Sequence, residues 1–298
     1  MESNVPSEAR FDVHRAITEK IAQAIESGAG AFTMPWHRSA DVGRPTNAST
    51  NVKYRGLNVV ALWAEATVSR FSSGYWASFR QWQRLGASVR KGERGATIVF
   101  YKALEPEVAS DDEQRSQPRL FARASRVFNA DQVAGWSAPG EPTRSRATVL
   151  PEVEATIEGT KAVIVEGGAA AFYDRAADAI HIPERRKFCG TLTSTPTEAY
   201  YATLLHELTH WSGAAHRLDR QFGERFGDEA YAFEELVAEL GAAFLCADLQ
   251  IANDPRPDHA AYVTGWLSVL RRDHRALSTA ARLASTAAQY LTGLSIPY

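Results

Sequence analysis

The densest chemistry in this 298-residue chain lies in one stretch, LLHELTHWSGAAHRLDR (204–220). His206 and His210 are four residues apart, so a helix turns both imidazoles to one side, where they can hold one metal ion. Glu207 follows His206 directly, and from there it can reach an open coordination position and take a proton from a water held there. Leu204, Leu205 and Leu208 supply the apolar wall that such a site needs. HExxH in this setting is the pattern of a zinc hydrolase.

Two residues compete for the third ligand position. His216 completes HExxHxxGxxH, with Gly213 at the turn. That spacing also calls for a methionine turn beneath the site, and the only methionines, Met1 and Met34, lie upstream. Glu235 is preferred; it sits in YAFEELVAEL, a second apolar-periodic helix 25 residues beyond His210, and gives a two-histidine, one-carboxylate set. Glu239 shares its face and is expected to hydrogen-bond a ligand histidine from behind. Glu234, about 100° around the helix, is expected to face solvent. Tyr231 is a candidate to stabilise an oxyanion, or packs one turn before Glu235. The expected cofactor is Zn, and another divalent metal such as Mn suits the same ligands. Upstream, AFYDRAADAIHIP (171–183) reads as a hairpin: either an ordinary core hairpin or one whose edge receives an extended peptide.

The chemistry of the first half is different. The formal charge of −2 hides a segregation: residues 1–130 carry a net +5, residues 131–298 a net −7, and the stretch 27–104 a net +8. Basic and aromatic residues interleave there, and cations along phosphates with aromatic faces on unpaired bases are how single strands are bound. The candidate DNA-binding residues are Trp36, Arg38, Arg44, Lys53, Tyr54, Arg55, Trp76, Lys91 and Arg94. Phe79 and Trp82 share one helical face and read as core. No helix-turn-helix or zinc-finger signature suggests duplex readout, and no carboxylate-rich two-metal cluster suggests a nuclease.

These sites require two kinds of framework. Helices are predicted over 11–27, capped by Gly28, from Gly56 onward, and over 78–85; strands are predicted over 97–101 and 120–128. An acidic loop (105–119) separates the two strands, and 259–291 reads as two amphipathic helices joined near Asp273 and His274. The run WSAPGEPTRSRATVLPE breaks both periodicities and reads as a linker. The expected organisation is α+β: a mixed single-strand-binding domain (1–135), a linker (136–150) and a zincin-like, gluzincin-type metallopeptidase domain (151–298). There is no apolar run of membrane-spanning length and no secretory pattern at the N-terminus, and the two cysteines lack metal spacing. A cytoplasmic protein is expected.

The motifs ITEKIAQAIESGAGAFTMPWHR, RPTNAST, YRGLN, WASFRQWQRLGASVRKGERGATIVFYK and VFNADQV, together with HELTHWSGAAHRLDR and YAFEELVAEL, resemble those of the ArdC-type antirestriction proteins of conjugative plasmids. The likeness spans nearly the whole chain. It implies an N-terminal single-stranded-DNA-binding domain, a C-terminal metallopeptidase domain and protection of incoming plasmid DNA from restriction. By motif it implies His206, His210 and Glu235 as metal ligands and Glu207 as catalytic base. The partners expected are single-stranded DNA and a protein substrate not named by the sequence, either a restriction component or a DNA-bound protein.

Overall fold

The computed structural model describes residues 12–28, 34, 36–37, 43–104, 119–139, 146–220, 229–254 and 259–294. Along the chain run α1 (Val13–Gly28), β1 (Thr46–Asn47), α2 (Leu57–Ser69), β2 (Tyr75–Ala77), α3 (Phe79–Arg84), β3 (Ser88–Val89), β4 (Ala96–Leu104), β5 (Arg119–Asn129) and β6 (Val133–Ala134). The second half contributes α4 (Arg146–Thr160), β7 (Val163–Glu166), β8 (Phe172–Asp174), β9 (Ala179–Ile182), α5 (Pro196–Ser212), α6 (Glu229–Leu249), α7 (His259–Arg272) and α8 (Ala276–Gly293).

In the first half a four-stranded sheet runs β1-β2-β5-β4. β4 and β5 form its long antiparallel ladder, from Ala96 opposite Val127 to Leu104 opposite Arg119. Helix α1, predicted over 11–27, buries Val13, Ile17, Ile21 and Ile25 along one face. Helix α2 starts immediately after Gly56, whose φ of +56° is a backbone state that glycine adopts without penalty. The second half places a three-stranded sheet, β7-β9-β8, against helix α5, which in turn packs on α6 and α8. The predicted hairpin is β8 and β9, and β9 is paired on both sides.

Two features depart from the sequence reading. The predicted linker ends in helix: α4 begins at Arg146 and carries Pro151 within it. Burial of Val153, Ala155 and Ile157 overrides the helix-breaking composition, because apolar packing outweighs local propensity. The two halves also share a core. One hydrophobic cluster runs from Val13 of α1 through Trp63 and Trp76 to Phe244, Trp266 and Leu291. Polar ties cross the same seam: Thr18 Oγ1 donates to the His274 carbonyl (2.9 Å), and the Gly56 N–H donates to Ser285 Oγ (2.9 Å). Among the described residues no helix is long and apolar enough to cross a membrane. The acidic loop lies outside the described residues, apart from Arg119, which begins β5.

Candidate metal centre

Helix α5 is started by its own sequence. Thr195 Oγ1 accepts from the Glu198 N–H (3.3 Å), the Glu198 carboxylate accepts from the Thr195 N–H (2.8 Å), and Pro196 occupies the first turn, where its missing donor costs nothing. Three turns on, the helix presents His206, Glu207 and His210, all buried. Helix α6 is buried over Leu236–Cys246 and packs along α5. The approach is close because residue 241 is glycine: a Cβ there would stand 2.5 Å from Thr209 Cγ2, inside any permitted contact.

That closeness brings Glu235 onto the histidine pair. His206 Nε2 and His210 Nε2 are 3.1 Å apart, His206 Nε2 lies 3.5 Å from Glu235 Oε2, and His210 Nε2 lies 3.4 Å from Glu235 Oε1. A tetrahedral ion with ligand bonds of ~2.05 Å has edges of about 3.3 Å, and the spacing of the two imidazoles from each other and from the nearer oxygen of the Glu235 carboxylate is of that size. Two neutral imidazoles and a carboxylate are also the donor chemistry of a zinc-type site, and manganese accepts the same set. Burial works against charge on His210, but the carboxylates of Glu235 and Glu234 outweigh it and raise its pKa to about 10. Burial likewise opposes charge on Glu235, while His210 and His206 hold its carboxyl well below the usual range. The pocket is thus built to stabilise one positive charge between three ligand atoms.

Behind the ligands lies a layer that the sequence revealed only in part. Glu239 approaches His206 from behind, its Oε2 3.6 Å from Nδ1. Its other oxygen accepts from His37 Nε2 at 2.8 Å. His37 Nδ1 accepts the Met34 N–H (2.9 Å), which leaves the ring proton on Nε2 and makes the histidine the donor to Glu239. A residue of the basic half therefore fixes a carboxylate behind a candidate metal ligand.

Glu234 corrects an expectation: it is 3% exposed rather than solvated. Its Oε1 lies 3.2 Å from His210 Nδ1, and it forms a two-oxygen fork with buried Arg220 (2.7 and 3.1 Å). Burial opposes its charge, but His210 and Arg220 lower its pKa below the ordinary carboxylate value. The 100° offset that should have exposed Glu234 fails because that face of α6 meets His210 of α5 and the buried Arg220 rather than solvent. The available signal was Arg220, a cation within the motif stretch that needed a buried partner.

His216 does not join the cluster. It is exposed in the turn after α5, with Nε2 3.4 Å from Asp178 Oδ2. Its neighbour Arg217 is the clamp of that turn, bonded to Asp178 and Tyr173 and lying over the Trp211 ring at 3.8 Å. Tyr231 lies half-buried on α6, one turn before Glu235.

The candidate DNA-binding residues divide. Trp36 is fully buried, edge-on to Trp266 at 6.1 Å, with its carbonyl held by Asn253 (3.2 Å). Trp76 is 1% exposed and meets Phe71 edge-on. Tyr54 is buried with its hydroxyl on Asn47, and burial raises its pKa to about 12. Arg44 is buried over Phe244 and paired with Asp248 at 2.9 Å. These four are packing residues, because a ring or fork without an accessible face has nothing to offer a strand. Lys53, Arg55, Lys91 and Arg94 are exposed, although Lys53 pairs with Asp248 at 2.8 Å. Arg38 lies outside the described residues.

An HExxH helix crossed by a carboxylate-bearing helix, joined to a mixed α/β half through a common core, defines a two-part zincin-like protein. A family model described as a zincin-like metallopeptidase matches residues 151–283, and one described as the N-terminal domain of the anti-restriction factor ArdC matches residues 11–128. The protein y4eC of Sinorhizobium fredii is 42% identical over 286 residues, covering 94% of this chain and 91% of its own. The crystal structure of the antirestriction ArdC protein from plasmid R388, in its Mn(II)-bound form, is 36% identical with a TM-score of 0.76, covering 97% of this chain and all of that one. Its metal-free form aligns with a TM-score of 0.74. A DNA primase TraC of Escherichia coli is 32% identical over 283 residues, but the chain spans only 19% of its length. The chain belongs to the ArdC antirestriction family.

Proposed function

We propose that this protein protects incoming conjugative plasmid DNA from host restriction in the cytoplasm. It would bind the single strand through its basic half and carry a metallopeptidase centre in the other. The observation that carries this reading is that the likeness to the R388 antirestriction protein runs through both halves, over 97% of this chain. His206, His210 and Glu235 would hold Zn or Mn: the zincin-like family model supports Zn, and the relative's Mn(II)-bound form supports Mn. When bound, the ion supplies Lewis acidity at a carbonyl and lowers the pKa of coordinated water. Glu207 would serve as the base that takes a proton from water, Tyr231 would be the hydrogen-bond donor to a substrate oxygen, and Glu239 and Glu234 would hold the two imidazoles in position. A restriction component or a DNA-bound protein is the proposed substrate.

A second reading has its own support. His206, Glu207, His210 and Glu235 are 2, 4, 9 and 6% exposed, a degree of closure that suits a structural ion as well as a catalytic one. In that case, coating the strand is the whole activity. Plasmid transfer into restricting and non-restricting recipients, with wild type and Glu207→Gln, separates the two. Loss of protection with metal content and single-strand affinity intact supports the peptidase reading. Full protection by Glu207→Gln overturns it in favour of coating.

A further inference from the structure

A cleft of about 870 Å³ opens at the seam of the two halves and shares no lining residue with the metal centre. One wall is the segment from Asn47 to Asn58 together with Gln81, Val99 and Phe100; the other is a polar stripe of α8 that runs from Ser278 through Arg282 to Gln289. The α8 positions recur at three- and four-residue spacing and so lie on one helical face, opposite the alanines that α8 buries. Among the described residues no carboxylate lines the cleft.

Its chemistry has two parts. Arg55 and Arg282, contributed by opposite halves, are both exposed, and neither has an ion-pair partner among the described residues. Phe100 and Val52 are 50% and 57% exposed, which is unusual for large apolar side chains beside a cleft. The walls are fixed. Asn58 bonds both the N–H and the carbonyl of Val99 at 2.8 Å, which anchors the strand bearing Phe100 to α2. The Gly56–Ser285 bond ties the first wall to α8.

Uncompensated cations beside an exposed aromatic face match a phosphate chain with unstacked bases. We infer that this cleft is a path for single-stranded nucleic acid, with Arg55 and Arg282 on phosphates and Phe100 under a base. The strand would then touch α8 as well as the basic half. This inference rests on the single-strand-binding reading above and gives it a location that overlaps the sequence reading only at residues 53–55. Trp36 and Trp76 take no part, and of the nine residues named from sequence, Lys53, Tyr54 and Arg55 line the cleft.

The test is titration of fluorescein-labelled oligo-dT with the full chain at several salt concentrations. It compares wild type, Phe100→Ala, Arg55→Ala, Arg282→Ala and a control, Arg186→Ala, whose partner is Glu184 outside the cleft. All these side chains are exposed, so unchanged melting temperatures verify folding. Phe100→Ala should weaken binding about five-fold or more without changing its salt dependence. Arg55→Ala and Arg282→Ala should each weaken it and lower the salt slope by about 0.7, the share of one phosphate contact. Arg186→Ala should bind like wild type. If wild type binds and both Phe100→Ala and Arg282→Ala bind equally well, the cleft is not the path. If wild type does not bind oligo-dT at all, the single-strand reading itself fails, and this inference fails with it.

Discussion

At the metal centre the charged groups are inside and the structure organises itself around them. In the basic half Trp36, Tyr54 and Trp76 are inside, while Phe100 and the unpaired cations are outside. Glu234, Glu235 and Glu239 are each at most 6% exposed and each faces a histidine, whereas Trp36 and Trp76 are sealed in the core and Arg55 and Arg94 lie in water. The contrast follows from cost. A buried carboxylate persists only with partners arranged around it, so the second layer of His37, Arg220 and Glu234 is as much a part of the site as the ligands. A surface for nucleic acid needs no such enclosure and leaves its cations available.

If the aromatics of the basic half are structural, Trp76→Ala should cost about 3–5 kcal/mol in denaturant unfolding. The folded fraction should bind single strands as wild type does; a specific loss of affinity at unchanged stability would reverse the division drawn here.

Glu234→Ala strands Arg220 and removes the support of His210. Breaking a buried pair costs about 3–5 kcal/mol. Calorimetric unfolding of the metal-free protein should show that loss, and an exposed, dispensable Glu234 would show almost none. His37→Ala should weaken metal binding about ten-fold, or ~1.4 kcal/mol, while His37→Gln restores part of it. Competition against a chelator reads the effect, and unaltered metal affinity in His37→Ala would separate the halves again.

The smallest effect is the turn clamp. Arg217 holds the Asp178 pKa down to about 2, with burial opposing and Tyr173 assisting. A depressed carboxylate stabilises above its unfolded value near 3.8, and this contribution is lost as pH falls through about 2. Because Asp178 is 41% exposed, the gain is below ~1 kcal/mol. The stability difference between wild type and Asp178→Asn should shrink from pH 5 to pH 2; a difference that grows on acidification would contradict this sign.

What the sequence made legible follows the range of the interactions. His206 and His210 could be paired because four residues on a helix fix their direction. The missing methionine turn favoured Glu235 over His216, and the fold brings Glu235, not His216, to the histidine pair. The role of His37 was illegible, because it lies 202 residues from Glu239 and nothing local ties them. Glu234 was misassigned because helical angle fixes direction but not what lies there. Trp36, Tyr54 and Trp76 were misread for the same reason: interleaving with cations specifies composition, while which ring faces water depends on tertiary packing, as of Trp36 on Trp266 and Trp76 on Phe71.

Metal binding by wild type, Glu235→Ala and His216→Ala, followed by isothermal titration with Zn and Mn, tests the central geometry most directly. One ion per chain should bind wild type and His216→Ala alike, with affinity about 100-fold or more lower in Glu235→Ala. Retained affinity in Glu235→Ala, with loss in His216→Ala, would mean that the third ligand comes from the turn after α5 and not from α6.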